Sequence, residues 1–332
     1  MRYAVHSDSP PAGRAGRPLR SSFRDLAAGG YLLIPANRIA KWDGSNWSGL
    51  GTGANSNFTD ITASGSDVYV GGYFHDAGGS AANNLAKWNG SGWSAVGPTG
   101  LGVSGSSVRA VAVSGTDVYV AGDFSWVGGT SANSIAKWSG TSWSNLGSGL
   151  TACDPTNHCS GDVYALAVAG SNVYAGGRFS AAGGVPANNI AVWDGNAWVA
   201  LGSGIGGDYH VVETIAVFGS GIYVGGSFTI AGGVSANNIA RWDGSTWSAL
   251  GSGVIDSGVL AIAVLGSNVY AGGDFGIAKW NGSAWSGLGS GVAPFCDENY
   301  CYGVRAITTD GSRVYVGGGH FNPPAAFRER VA

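Results

Sequence analysis

Short runs of β-branched and aromatic residues recur along this chain, each bounded by glycine, serine, asparagine or aspartate. Between residues 108 and 147 the runs are VRAVAV, DVYVAGDF, NSIAKW and SWSNLG, in that order. Runs of this length and composition, separated by turn residues, are typical of β-strands. The pattern therefore predicts four strands per repeat, with tight turns at SGTD and at WSGTSW.

The pattern is written six times, and each copy carries two tryptophans five residues apart. The pairs are Trp42 and Trp47, Trp88 and Trp93, Trp138 and Trp143, Trp193 and Trp198, Trp242 and Trp247, and Trp280 and Trp285. If a two-residue turn joins the third and fourth strands, the tryptophans of a pair become direct cross-strand partners. Periods near 40 to 50 residues are typical of propellers and solenoids, and four antiparallel strands per copy favour propeller blades.

A hydrophobic run that ends in two glycines recurs in the second predicted strand, at Val68, Val173, Ile222, Val269 and Val314. The fuller pattern VYVGGxF…AGG…ANNIAKWDGSxWSxLGSG resembles the Kelch repeat and the central propeller of the galactose-oxidase superfamily. It is similar to repeats of secreted bacterial Kelch-type proteins and of fungal cortical polarity markers. The resemblance covers residues 23–321 and implies a propeller. The copper ligands of galactose oxidase have no counterpart here, so that activity is not carried over.

The two ends of the chain predict how the repeats close. Five copies are complete, only third and fourth strands are clear before Trp42, and GVRAITT and SRVYVGGGHF supply only a first and a second strand at the end. We therefore predict an all-β, six-bladed propeller whose last blade is closed by pairing the N- and C-terminal strands, which removes exposed sheet edges. The alternative is a fragment with both ends cut arbitrarily.

Residues 1–22 hold arginine, serine, proline and glycine with almost no apolar run, and are predicted to be a disordered basic arm. Residues 23–321 are predicted to form a single propeller and residues 322–332 a C-terminal tail.

Composition and charge narrow the classes of function. The chain is 44% hydrophobic with 13 tryptophans, enough for a core, and its 17 Lys+Arg against 20 Asp+Glu give a net charge of −3. Nucleic-acid and membrane-surface binding need a concentrated basic field, which this balance does not supply. No stretch approaches the ~18 apolar residues of a membrane span. We expect a monomer.

Four cysteines occur as two close pairs, Cys153 with Cys159 and Cys296 with Cys301, at the same place in the repeat. Matched pairs in loops predict two local disulfides and an oxidising, extracellular or cell-surface location, although no secretory signal segment is visible. Structural zinc is the alternative, but His158 is the one histidine in these loops and the CxxC spacing is absent. The sequence predicts no metal and no cofactor.

Binding residues gather on loops held by a rigid scaffold. All long or variable connections are predicted on one face, where Trp126 lies outside the repeat register. The connection before Trp280 is shortened, which predicts a notch beside the second cysteine loop. Aromatic and acidic side chains there suit a sugar ring or a basic peptide. The predicted ligand-binding residues are Trp126, Phe295, Asp297, Glu298, Tyr300 and Tyr302.

Other recurring polar residues are interpreted as structural. The Asn-Asn pairs at 83–84, 188–189 and 237–238 fit turns that need left-handed backbone, and the aspartate of WDGSTW fits a turn former. The lysines occupy one repeat position (Lys41, Lys87, Lys137 and Lys279), which suits stems along a blade with their heads in water.

The sequence favours a non-catalytic secreted binding or adhesion propeller that recognises a glycan or a protein. One alternative is a structural module of a larger surface protein. The other is a glycoside-active or oxidising enzyme, for which the first strands offer mainly Asp60 and Glu213. No nucleophile motif or shared histidine position converges on a site, so no catalytic residue is predicted.

Overall fold

The computed structural model describes residues 2–5, 23–27, 30–34, 38–43, 45–98, 103–151, 161–207, 210–254, 257–288, 295–296 and 301–318. Within these ranges every regular element is a β-strand, so the all-β prediction is confirmed. The chain forms two compact units, an N-terminal unit (residues 1–149) and a C-terminal unit (residues 150–332). We name each copy of the repeat after its first tryptophan.

The N-terminal unit holds the Trp42, Trp88 and Trp138 copies. Their strands are β1 (Arg2–Val5), β2 (Phe23–Ala27), β3 (Gly30–Ile34), β4 (Ile39–Trp42), β5 (Trp47–Gly49), β6 (Phe58–Ser64), β7 (Asp67–Gly72), β8 (Asp76–Ala77), β9 (Ser80–Ala81), β10 (Leu85–Trp88), β11 (Trp93–Ala95), β12 (Val103–Ser114), β13 (Asp117–Val127), β14 (Thr130–Ser131), β15 (Ile135–Trp138) and β16 (Trp143–Asn145). Two antiparallel sheets have the predicted four-strand orders, β6-β7-β10-β11 and β12-β13-β15-β16.

The C-terminal unit holds the Trp193, Trp242 and Trp280 copies and a final strand pair. Its strands are β17 (Leu150–Thr151), β18 (Asp162–Ala169), β19 (Asn172–Arg178), β20 (Ala181–Ala182), β21 (Val185–Pro186), β22 (Ile190–Trp193), β23 (Trp198–Ala200), β24 (Ile205–Gly206), β25 (Val211–Phe218), β26 (Gly221–Ser227), β27 (Ile230–Ala231), β28 (Val234–Ser235), β29 (Ile239–Trp242), β30 (Trp247–Ala249), β31 (Val259–Leu265), β32 (Asn268–Gly273), β33 (Gly276–Trp280), β34 (Trp285–Gly287), β35 (Phe295–Cys296), β36 (Cys301–Tyr302), β37 (Val304–Thr309) and β38 (Val314–Gly318). Three more four-stranded sheets have the orders β18-β19-β22-β23, β25-β26-β29-β30 and β31-β32-β33-β34.

The tryptophan pairs are cross-strand partners, as their spacing predicts. Trp88 stands directly opposite Trp93, and the other copies have the same register. The ring centroids of Trp88 and Trp93 are 5.5 Å apart in a tilted arrangement. The turn between them is closed by its first residue, as in the Trp242 copy, where Asp243 accepts bonds from the N–H groups of Ser245 and Thr246. The turn-forming role of this aspartate is confirmed.

In the Trp88, Trp242 and Trp280 copies the second tryptophan joins the copy to the one before it. Trp93 Nε1 donates to the carbonyl oxygen of Leu50 at 2.7 Å, and Trp285 Nε1 donates to that of Leu250 at 2.6 Å. In each case the acceptor belongs to the LGSG or LGTG segment of the preceding copy. The indole therefore fixes one copy against the next while its ring is covered by the core.

The glycine pair that ends the second strand is required by packing. A Cβ on Gly71 would lie 2.5 Å from Val108 of the next copy, and a Cβ on Gly72 would collide with the carbonyl oxygen of Asn57. The first glycine thus receives a valine from the next sheet, and the second allows the first strand of its own sheet to approach closely. The same valine contact recurs at Gly176, Gly225 and Gly272.

The N-terminal end of the chain differs from expectation. Residues Arg2–Val5, inside the segment predicted as a disordered arm, form β1 and pair with β4, with Tyr3 opposite Lys41. The register matches that of β7 on β10, where Tyr69 lies opposite Lys87. An alternating apolar strand of four residues is too short to recognise before a proline- and arginine-rich segment, so the sequence pattern missed it. In the structure β1 therefore lies beside β4 at the place where the other copies have their second strand.

Candidate binding face

The long connections between second and third strands are folded into small hairpins. In the Trp193 and Trp242 copies these are β20-β21 and β27-β28, and each is extended to three strands by the segment that follows LGSG, β17 or β24. In the Trp88 copy the hairpin is β8-β9, bridged to Ala54. We call this end of each sheet the long-connection end, and the other the hairpin-turn end. The sequence did not predict these strands, because the runs AGG and ANN are short and consist of small residues.

Buried asparagines hold the small hairpins in place. Each has left-handed backbone, accepts a bond from a phenylalanine N–H and donates to a carbonyl oxygen of the following segment. For Asn189, with φ of 64°, the partners are Phe179 N at 3.1 Å and Ile205 O at 2.8 Å. The equivalent residues are Asn84 and Asn238. Because these amides are used within the fold, their interpretation as structural residues is confirmed.

Several apolar side chains are exposed on these hairpins. Trp126, near the end of β13 and opposite Ser131 of β14, is 51% exposed. In the C-terminal unit, Val185 on β21 and Ile230 on β27 are exposed as well. The valine and isoleucine were missed by sequence reasoning, which weighted aromatic residues alone. Trp126 was found because its loop lies outside the repeat register.

The shortened connection in the Trp280 copy is a tight turn between β32 and β33. Gly273 and Gly276 are cross-strand partners, with Asp274 and Phe275 between them. A Cβ at Gly303 would collide with the carbonyl oxygen of Gly273, so the chain that follows Tyr302 runs directly against this turn. No small hairpin forms at this place among the residues described for the copy.

The two charged side chains at this turn form an ion pair. Asp274 Oδ1 lies 2.9 Å from Nη2 of Arg305, and both side chains are partly exposed. Phe275 packs against the buried cluster around Val259 and Leu250. The turn therefore offers an ion pair to solvent, and its aromatic ring belongs to the core. The pair joins residues 31 positions apart and had no sequence signal.

The predicted residues of the second cysteine loop are only partly described. Phe295 stands opposite Tyr302, and Cys296 opposite Cys301, in the β35–β36 pair. Asp297, Glu298 and Tyr300 lie outside the described residues, as do Cys153 and Cys159. The backbone register thus brings one predicted cysteine pair into direct opposition.

The recurring lysines are partnered at the hairpin-turn end. Lys87 Nζ lies 2.8 Å from Asp67 Oδ2 and 5.9 Å from the centre of the Tyr69 ring. The bond to Asp67 raises the pKa of Lys87. Lys137 repeats the arrangement with Asp117. The stems lie along the sheet as expected, but these two ammonium groups are bound to carboxylates and form no free basic ring.

The two acids weighed for catalysis, Asp60 and Glu213, lie in first strands of different units. Asp60 is half-buried, and its carboxylate accepts bonds from the N–H groups of Ile61 and Val111. Burial raises its pKa to about 6. Glu213 lies in β25, in the other unit. Among the described residues no group of His, Cys, Asp or Glu has the arrangement of a metal site. Asp60 joins two first strands, which is a structural role.

Comparisons with known proteins place the fold. No protein-family model matches the chain, and no curated protein matches it. Among solved structures, the extracellular domain of the one-component system BT4673 from B. thetaiotaomicron is similar, with a TM-score of 0.52, 11% identity, and coverage of 84% of this chain and 34% of that one. The GH74 xyloglucanase from Xanthomonas campestris is also similar, with a TM-score of 0.50, 15% identity, and coverage of 84% and 47%.

The chain therefore spans about a third of the first neighbour and less than half of the second. At these identities the likeness shows the fold alone. Both neighbours are propeller-type structures, and the antiparallel four-stranded sheets of this chain are consistent with that fold. The described residues contain no helix with the length and apolar character of a membrane span.

Proposed function

We propose that this chain is a non-catalytic, extracellular binding propeller that recognises a glycan or a protein through the long-connection ends of its sheets. The observation that carries the proposal is the combination of rigid hairpins with exposed apolar side chains. Asn238 fixes the hairpin on which Ile230 is exposed, and Trp126 is exposed on the β13–β14 hairpin, where Ser134 N donates to the carbonyl oxygen of Phe124. Exposed apolar residues held on a rigid scaffold are typical of binding surfaces.

The binding residues proposed are Trp126 and, at the shortened turn, Phe295, Asp297, Glu298, Tyr300 and Tyr302. The tight Gly273–Gly276 turn supports the second group, because it leaves out the small hairpin that covers this place in the Trp193 and Trp242 copies. Aromatic side chains beside such a recess give a large contact area at a small cost in conformational entropy.

The test is a glycan array, followed by titration of any hit with purified protein. Trp126→Ala and Tyr302→Ala should each weaken binding by about tenfold or more if the residue anchors the ligand. Val199→Ala is the control, since Val199 is 47% exposed on a fourth strand away from the long connections. Unchanged affinity in both aromatic variants would remove Trp126 and Tyr302 as binding residues. An empty array would leave a protein ligand to be sought by cross-linking on the same variants.

We also propose six blades, the last shared between the two ends of the chain. Support comes from the repeat: β37 and β38 are a first and a second strand, and β4 and β5 are a third and a fourth. The strand β1 is a competing partner for β4, since it has the register of a second strand. Deleting residues 303–321 should cause aggregation if the shared blade closes the ring, whereas deleting residues 1–22 should leave a soluble protein. The opposite pair of outcomes would show that β1 completes the Trp42 copy.

The proposed extracellular location rests on the cysteines and on the similarity to the extracellular domain of BT4673. Cys296 and Cys301 stand opposite each other in an antiparallel pair, a placement that suits a local disulfide. We extend the proposal to Cys153 and Cys159, which occupy the same place in the repeat, and expect a monomer. Size-exclusion chromatography with light scattering tests the last point.

A further inference from the structure

One position in the repeat carries a cation that lies over a tyrosine ring at the hairpin-turn end. In the Trp88 copy it is Lys87, neutralised by Asp67, and in the Trp138 copy it is Lys137, neutralised by Asp117. The aspartate is the first residue of the second strand in both copies. In these two copies, therefore, an aspartate of the same sheet neutralises the cation.

The Trp242 copy keeps the cation and loses the acid. Arg241 lies over the ring of Tyr223, 5.9 Å from its centre, in the register of Lys87 over Tyr69. The residue in the place of Asp67 is Gly221. Arg241 forms no ion pair with any residue that the structure describes. Its Nε is buried and has no hydrogen-bond acceptor there.

A buried guanidinium N–H without an acceptor is unfavourable unless a ligand supplies one. A Cβ on Gly221 would lie 3.0 Å from Nε of Arg241, so the arginine leans over the glycine, toward the space of the missing carboxylate. An acidic residue at position 221 would neutralise Arg241 within the protein, as Asp67 neutralises Lys87. The glycine therefore leaves the charge of Arg241 without an acid of its own sheet to neutralise it.

The surroundings of Arg241 are aromatic. Phe218 is the cross-strand partner of Gly221 and is 48% exposed, where the Trp88 copy has Ser64. Tyr223 packs toward the cluster that also contains Trp280 of the next copy. The equivalent place between the Trp88 and Trp138 copies is a cavity of about 440 Å³ lined by Tyr69, Lys87 and Trp138. Arg241 occupies the repeat position that Lys87 has in this cavity, and it lacks the neutralising aspartate.

We propose that Arg241, Phe218 and Tyr223 form a binding subsite for a carboxylate-bearing sugar residue, a uronate. The planar guanidinium binds a carboxylate through two parallel hydrogen bonds. The aromatic rings offer apolar faces to the C–H groups of a sugar ring. An acidic peptide fits less well, because it has no sugar ring whose C–H groups could lie on Phe218 and Tyr223 and would use the guanidinium alone. The inference goes beyond the proposed function, which concerns the other ends of the sheets.

The Trp280 copy provides an internal comparison. Lys279 lies there opposite Tyr270, and Asn268 stands in place of the acid. Its ammonium group is not among the buried atoms that lack a partner, and Leu265 replaces the exposed phenylalanine. Lys279 therefore carries a positive charge, but it has neither a buried N–H without an acceptor nor an exposed phenylalanine beside it.

The experiment is calorimetric titration of the full chain with trigalacturonate, with a neutral trisaccharide of galactose and triglutamate as comparison probes. The wild type should bind trigalacturonate and not the neutral sugar. Gly221→Asp, which restores the acid of the other copies, and Arg241→Gln should each weaken binding at least about tenfold. Lys137→Gln and Lys279→Gln are the matched controls and should stay within about twofold of the wild type.

Gly221→Asp is expected to fold, since aspartate occupies this position in two copies, and a cooperative thermal transition checks this. No binding of trigalacturonate by the wild type would overturn the proposal, as would equal affinity of folded Gly221→Asp. Equal or tighter binding of triglutamate would replace the sugar with an acidic peptide. Trp126→Ala should leave uronate binding unchanged, so that failure here and failure at the long-connection ends are told apart.

Discussion

The carboxylate of Asp60 in β6 accepts a hydrogen bond from the backbone N–H of Val111 in β12, with Oδ2 and N 2.7 Å apart. Its other oxygen accepts from Ile61 N at 2.8 Å. The side chain therefore joins the first strands of two successive copies at a place where Ala110 and Ala165 stand in the neighbouring repeats. An acid enclosed in this way makes stability depend on pH.

Burial raises the pKa of Asp60 from 3.8 to about 6, so the folded state holds its proton over a range in which the unfolded chain has lost it. The free energy of unfolding should fall as pH rises from about 4 to 7, by on the order of 2–3 kcal/mol. Hydrogen bonds lower the pKa of the turn acids Asp43, Asp194, Asp243 and Asp310, so these titrate below this window. Urea unfolding at pH 5.0 and 7.5, followed by tryptophan fluorescence, measures the part of this fall between those two values, which should be about 1–2 kcal/mol.

Asp60→Asn is the control for this pH dependence. It removes the titration and should flatten stability between the two pH values, while leaving one N–H without its acceptor and lowering stability at pH 5.0 by about 1–3 kcal/mol. Equal pH dependence in the variant and the wild type would assign the effect to other groups.

Asn189→Ala should destabilise the C-terminal unit by about 2–4 kcal/mol, because two buried hydrogen bonds are lost and alanine is strained at a φ of 64°. Asn188→Ala is the matched change: the exposed Asn188 donates one bond, to the carbonyl of Ser203, and should lose less than about 1 kcal/mol. Chemical denaturation compares the two. Similar small effects in both would mean that the small hairpin is not held by Asn189.

Trp247→Phe keeps most of the ring but removes the bond from Nε1 to the carbonyl oxygen of Leu201, 2.7 Å long and buried. We expect a loss of about 1–3 kcal/mol, since the carbonyl is left without its donor. Trp242→Phe, in the same cross-strand pair, is the comparison and removes no such bond to a neighbouring copy. The thermal midpoints of the two variants, measured at one scan rate, should therefore separate, and the reverse order would contradict the role assigned to the indole.

Native protein should show no reactive thiol, with disulfides Cys153–Cys159 and Cys296–Cys301 seen by mass spectrometry of unreduced peptides. Loops this short stabilise by ~2–3 kcal/mol at most, so reduction should leave the sheets folded. Far-ultraviolet circular dichroism before and after reduction checks this. Four titratable thiols in the native state would contradict both disulfides and remove the main argument for an extracellular location.

The parts predicted well are those fixed by local pattern. The five-residue spacing of Trp88 and Trp93 requires a tight turn and a unique register, and the structure has it. The hairpins β20-β21 and β27-β28 were missed because their two-residue strands have no periodicity to detect. Asp274 with Arg305 was missed for a different reason: pairs distant in sequence depend on how copies pack.

The candidate subsite at Arg241 shows what sequence comparison within one chain could have supplied. The loss of the acid at Gly221 is visible once Asp67 and Asp117 are aligned with it. Its meaning is not, because alignment does not say that these aspartates reach across the sheet to Lys87 and Lys137. The structure shows that glycine in place of aspartate at position 221 leaves Arg241 without an ion pair among the described residues.

The contact between the first glycine of each pair and a valine of the next copy has a consequence for how such a chain changes over generations. Gly71 receives Val108, and Gly225 receives Val259, through the same surface. Because the contacts at Gly71, Gly176, Gly225 and Gly272 are chemically alike, duplicating or deleting one of the copies that carry them leaves the remaining contacts of this kind unaltered. The number of copies can thus change in a single recombination step, while a substitution at either member of one joint affects that joint alone.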